Sequence, residues 1–256
     1  MVQESSKRSG ALAQGPAARS YGWLQWSDYG VAALLVLQLF LTFVVVPVSA
    51  IHPGWYGLMP FGDLVFAAVC AVWLTRRHAV RAALLAAVVV LGAAPLIAHR
   101  LGGSLGYAAP FWRELVAGTA FCFNLLVTLL VGLHTFGRGQ VTVHRIQGAV
   151  LVYLNVAVLF SIAYGLLEAH APGAIQLAGA PLSAAAPRVQ VAEMTYFSLS
   201  TITTTGFGDL VPVHPLARSL ANLESFFGQL FPATFLARVV ALNLAHSTTR
   251  EPRDED

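Results

Sequence analysis

Apolar runs fill most of the chain, and polar positions are confined to short breaks between them. Gly30 to Val46 carries no charge, and Phe61 to Leu74, Val80 to Ala98, Phe111 to Leu133, Ile146 to Leu167 and Leu216 to Leu244 are similar stretches with few charges. About 20 apolar residues suffice for a helix to cross the hydrocarbon layer of a bilayer. The pattern therefore predicts six transmembrane helices, the second short unless Gly57 to Pro60 also lie within the membrane. Glu168 to Gln190 is rich in Ala, Pro and Gly, a composition that predicts no long regular element. A short amphipathic helix is expected at Ala192 to Thr203, just before the sixth run.

Composition agrees with a lipid environment. Hydrophobic residues make up 57% of the chain and charged residues 11%, too few to cover the surface of a soluble protein this size. The net charge of +3 comes mainly from arginines in connecting segments, with Lys7 the single lysine, so nucleic-acid binding is not indicated. Cys70 and Cys122 both sit inside apolar runs and are expected to be small buried residues, with no disulfide framework or metal cluster. Residues 1–27 are polar and basic and cannot fold alone. Tyr21, Trp23, Trp26 and Tyr29 then mark a membrane interface. A competing reading makes the first run a cleavable leader ending at Val48-Ser49-Ala50, although its apolar part is longer than usual.

Basic residues set the orientation. With both termini cytoplasmic, Lys7, Arg8, Arg19, Arg76, Arg77, Arg81, Arg138, Arg145, Arg238, Arg250 and Arg253 fall inside, and only Arg100, Arg113, Arg188 and Arg218 outside. The segment between the fifth and sixth spans then enters from the external face.

That segment holds the most specific chemistry. Thr201 to Leu210 reads Thr-Ile-Thr-Thr-Thr-Gly-Phe-Gly-Asp-Leu. Glycines alternating with larger residues allow successive carbonyls to turn to one side, and a row of carbonyls can replace the water shell of a cation. Non-helical backbone at membrane depth survives only when buried in protein or lining a watery path. The stretch therefore implies a pore.

With Tyr196 to Thr201 before it, Thr204-Thr205-Gly206-Phe207-Gly208-Asp209 resembles the selectivity filter of the potassium-channel pore domain. The similarity continues through Leu210-Val211-Pro212 and Arg218 into Leu223-Glu224 and Gly228-Gln229-Leu230, and His144 to Ala149 looks like the start of the outer helix in bacterial single-pore channels. The resemblance is strong over roughly the last hundred residues. It implies an all-α membrane protein of six transmembrane helices, with a re-entrant pore helix and filter loop between the fifth and sixth. Residues 1–27 would be a cytoplasmic segment, 28–145 a four-helix domain with a sensor-like layout, 146–245 the pore domain and 246–256 a cytoplasmic tail.

By the same resemblance, four identical chains in plasma-membrane lipid contribute carbonyls of Thr204, Thr205, Gly206, Phe207 and Gly208, with the Thr204 hydroxyl, to a ladder of K+ sites, and no cofactor is needed. Two departures stand out: family filters usually carry valine or isoleucine at Thr205 and tyrosine at Phe207. An extra hydroxyl behind the filter opens the alternative of a weakly selective channel for monovalent cations. Asp209 lies at the outer mouth, able to concentrate cations or to hydrogen-bond the pore helix.

Ser225, Gln229, Pro232, Leu236 and Val240 recur at helical spacing and are the candidates to line the pore. Gly228 and Pro232 form either a gating hinge or a fixed kink. Glu224 is a carboxylate within a span, read as a protonated or hydrogen-bonded partner of pore-helix hydroxyls such as Ser198 rather than a permeation or proton-sensing group. Asn124 is expected to make an interhelix hydrogen bond. Only Arg113 is basic between Phe111 and Leu133, so steep voltage sensing is not expected. A potassium-transporter subunit would usually carry four filter-like repeats where this chain has one, and no HExxH motif or cluster of His and carboxylate at one depth points to a membrane enzyme.

Overall fold

The computed structural model describes residues 30–56, 109–136 and 143–248, with single positions at 62, 65, 66, 79, 82 and 86. The expected second and third spans fall almost wholly outside these residues, as do Cys70, the leader 1–27 and residues 249–256.

Helix α1 is the apolar span Gly30–Ile51. It runs past the expected end at Val46 although Pro47 lacks an amide hydrogen. A π-helical turn at Leu41–Val45, with the Val46 amide bonded to the Leu41 carbonyl, absorbs the lost bond just ahead of the proline. A four-residue turn of helix, α2, follows at Pro53–Tyr56.

Helix α3 covers Ala109–Thr135 and α4 covers Val143–His170. The connection between them is short, which returns α4 alongside α3 as a helical hairpin. Leu34 of α1, Phe123, Val127 and Val131 of α3, and Leu151 and Val152 of α4 bury a shared aliphatic core, joined by Phe66.

Between α4 and the next long helix the chain forms β1 (Ile175–Leu177), β2 (Ala180–Pro181) and a turn of 3-10 helix at Leu182–Ala184. Strand β3 (Leu210–Pro212) pairs antiparallel with β1, Gln176 opposite Val211, giving the order β2-β1-β3. This small sheet qualifies the expected all-α class. Its organiser is Glu168, 3% exposed, whose carboxylate accepts the amides of Gly173 (2.6 Å), Ile175 (3.0 Å) and Ser183 (3.1 Å). Three charge-assisted bonds compensate for burying the group and shape a segment whose composition suggested only loop.

Helix α5 spans Pro187–Ile202. It starts five residues before the expected Ala192 because Pro187 occupies the first turn, where its missing N–H costs nothing and its fixed φ suits a helix. Helix α6 runs Pro215–Thr248 without interruption, with Pro232 inside it. Ala217, Glu224 and Gly228 are buried and Phe231, Phe235 and Val239 half-buried, so one stripe at helical spacing faces the rest of the chain. A second core of Tyr164, Ile175, Leu182, Met194, Phe197, Leu210 and Ala217 joins α4, α5, α6 and the sheet.

Candidate functional site

The stretch 203–209 leaves the C-terminus of α5 and is exposed at every position until Leu210 enters β3. It begins as an unwinding helix end. The Thr203 amide bonds to the Leu199 carbonyl, Thr204 to Thr201, and both Thr205 and Gly206 to Ser200 (2.8 and 3.2 Å). Beyond that point the backbone alternates. Thr204, Gly206 and Gly208 have φ of 57°, 57° and 82°, while Thr205 and Phe207 between them do not take positive φ. Such alternation of handedness turns consecutive carbonyls to one side. Among the described residues nothing donates a hydrogen bond to the carbonyls of Thr204, Thr205, Gly206, Phe207 or Gly208.

A non-glycine residue in the left-handed region costs about 1–2 kcal/mol. At Thr204 this is offset by its amide bond to Thr201 and by the Gln229 amide, which donates to the Thr204 hydroxyl at 3.1 Å. The neighbouring hydroxyls form a chain. Thr203 Oγ1 donates to the Leu199 carbonyl at 2.7 Å, so Thr205 Oγ1, 2.8 Å away, donates to Thr203. The hydroxyl at position 205 thus has a partner within its own loop.

Tyr196 of α5 supports the other end. Its ring stacks on Phe207, with centroids 5.8 Å apart and planes at 15°, and its hydroxyl donates to Asp209 Oδ1 at 3.2 Å. Asp209 Oδ1 also accepts the Leu210 amide, and its backbone carbonyl accepts the Ala178 amide at 3.0 Å, tying the loop to the sheet. Burial, and secondly the Asp209 carboxylate, push the Glu193 carboxyl on α5 above its ordinary range.

Helix α6 meets the C-terminal end of α5 at close quarters. A methyl group on Gly228 would lie 1.9 Å from the Ile202 carbonyl oxygen, so this crossing requires glycine. The same carbonyl accepts the Tyr153 hydroxyl at 2.8 Å, and Ser225 Oγ reaches the Thr201 carbonyl at 3.5 Å. The first satisfies a carbonyl left without a backbone partner at the helix end, and the second adds to the Thr204 amide already on Thr201. Behind them Glu224 is fully buried, in contact with Ser198 Oγ and accepting Tyr164 Oη at 2.7 Å.

Of the residues singled out in α6, Ser225 and Gln229 are brought to the loop, whereas Pro232, Leu236 and Val240 lie beyond it with exposed side chains. Among the described residues Asn124 bonds the Ala120 carbonyl of its own helix at 3.0 Å and no other helix. Cys122 is exposed, not buried, because it faces away from the α3–α4 contact. Tyr153 and Tyr164 are not singled out by the sequence reading, and Tyr196 enters it only as part of the motif, without the role it has here. Tyr153 and Tyr164 are about three helical turns apart on α4, and two phenols on one face of an apolar helix are the signal that marks them.

A family model described as an ion channel matches residues 126–244. Neither a curated protein nor a solved structure matches the chain significantly. The match takes in the last third of α3, all of α4, the sheet, α5, the loop and nearly all of α6, and it supports ion-channel activity. The apolar spans Gly30–Ile51 and Val143–His170 are long enough to cross a bilayer, in keeping with a membrane protein.

Proposed function

We propose that the chain is one subunit of a homotetrameric, potassium-selective channel of the cell membrane that conducts passively through a ring of filter carbonyls. The observation that carries this reading is the alternation of φ at Thr204, Gly206 and Gly208 with the unbonded carbonyls between them. Such carbonyls satisfy a dehydrated monovalent cation when several chains surround it. One chain leaves the stretch exposed on one side, and four copies about an axis close it into a ring. The pore helix α5, the external mouth at Asp209 and an inner helix α6 lined by Ser225 and Gln229, then by Leu236 and Val240, complete the path. Both termini are cytoplasmic and no cofactor takes part.

Reconstitution in lipid bilayers under opposed potassium and sodium gradients tests the reading. A reversal potential at the potassium equilibrium value is expected; a value near zero would make this a weakly selective monovalent cation channel instead. Gly206→Ala meets no clash within the chain but forces an L-residue to φ 57°, and it should abolish the current. Unchanged current in that variant would show that the filter lies elsewhere.

A further inference from the structure

Glu224 sits within α6 and is 0% exposed. Ser198 Oγ lies 2.6 Å from the Ala157 carbonyl of α4 and in contact with Glu224 Oε1, while Tyr164 Oη lies 2.7 Å from Glu224 Oε2. The Ala157 carbonyl can only accept, so the single Ser198 proton goes to it. Ser198 therefore meets Glu224 as an acceptor, and the proton between them has to come from the carboxyl group. The Tyr164 proton goes to Oε2. Three contacts need three protons, of which Tyr164 and Ser198 supply two. An ionised Glu224 would leave one pair of oxygens facing each other at hydrogen-bond distance with nothing between them.

Electrostatics leads independently to the same state. No described Arg or His forms an ion pair with Glu224, and an unpaired buried carboxylate costs several kcal/mol. The groups facing it are the Tyr164 phenol of α4 and the Ser198 hydroxyl of α5, with Tyr153 of α4 directed to the Ile202 carbonyl. Glu193 and Asp209 are the other acids of α5 and its following loop, and Asp209 is taken up by Tyr196.

We infer that Glu224 is a neutral carboxylic acid that donates to Ser198 and, as a positioning residue, pins the inner helix to the pore and outer helices behind the filter. When the proton leaves to water at alkaline pH, the carboxylate faces a Ser198 lone pair and the clasp opens. Only the consequence for current rests on the channel reading given above.

Two measurements on the full chain test the inference separately from that reading. Infrared difference spectra on hydrogen–deuterium exchange should show a protonated carboxylic acid at neutral pH that is missing from Glu224→Gln. Its absence from the wild type would overturn the inference. In bilayers, wild-type current should fall on the alkaline side by about tenfold per pH unit or more, as loss of one proton per chain requires. Glu224→Gln, which can both donate and accept, should conduct without that loss, and Glu193→Gln should keep it. An alkaline loss that persists in Glu224→Gln would place the titrating group elsewhere and overturn the coupling. The infrared band without any current would support the neutral acid and defeat the channel reading instead.

Discussion

The two halves of α6 are held in different ways. From Pro215 to Gln229 the helix is gripped by polar contacts: Arg218 to the Pro212 carbonyl, Glu224 to Ser198 and Tyr164, Ser225 to Thr201, and Gln229 to Thr204. From Leu230 to Ala241 no residue is fully buried, and the contact stripe narrows to Phe231, Phe235 and Val239. Phe231 and Phe235 stack on each other and meet Phe136 edge-on, while Tyr153 lies against Phe231. Hydrogen bonds have one good geometry, whereas aromatic contacts tolerate sliding. The first half is therefore built to stay in place beside the stretch 203–209, and the second half is the part better able to move.

The largest effect expected from this contrast is at Gly228. Alanine gains about 1 kcal/mol of helix propensity over glycine, but its methyl would lie 1.9 Å from the backbone oxygen of Ile202, which cannot rotate away. Overpacking against backbone outweighs the gain, and Gly228→Ala should lose about 3 kcal/mol or more of stability. Thermal unfolding and size-exclusion chromatography in detergent read this out. Pro232→Ala, one turn further on, restores a helix N–H and should not lower the unfolding temperature. If the two variants behaved alike, the division of the helix at Gly228 would be wrong.

Glu168 comes next, because its carboxylate serves three amides of the sheet and turn that receive the end of the stretch 203–209. Glu168→Ala leaves buried N–H groups without an acceptor, at a cost of about 1–3 kcal/mol. Proteolysis should then cut first between residues 171 and 186. Tyr153→Phe is milder: it removes one bond to the Ile202 carbonyl and keeps the ring against Phe231, and it should cost about 1 kcal/mol.

How far these contacts could be read in advance depended on their range. The order of long helix, short helix, glycine stretch and long helix follows from apolar run lengths, which are local properties. Glu224 stood out in sequence as a carboxylate in an apolar run, yet Tyr164, sixty positions away, carried nothing to pair it with that residue. The expected start of α5 at Ala192 is five residues late because the Ala-, Pro- and Gly-rich composition before it reads as loop, whereas Pro187 serves as a first-turn residue. The strands escaped notice for a related reason: they are two or three residues long, and Glu168 holds them more than any alternation of side chains does. Gly228 shows the limit most clearly, since a glycine four residues before a proline suggests bending until the Ile202 oxygen is seen above it.

The smallest effect on stability is expected where the contrast is sharpest for function. Arg238 donates to the Phe136 carbonyl at 2.7 Å, and its guanidinium lies 5.6 Å from the centroid of the Phe136 ring. It links the second half of α6 to the end of α3 through an exposed bond, worth about 1 kcal/mol or less with its cation–π contact. Arg238→Gln should therefore leave the unfolding temperature almost unchanged. In a channel, the same energy acts on the balance between two positions of the lower helix, where 1.4 kcal/mol is a tenfold change in population. Single-channel recording should show a change of several-fold in open probability at unaltered conductance and reversal potential. If conductance or selectivity changed instead, the lower half of α6 would be coupled rigidly to the filter, and the mechanical division drawn at Gly228 would not hold.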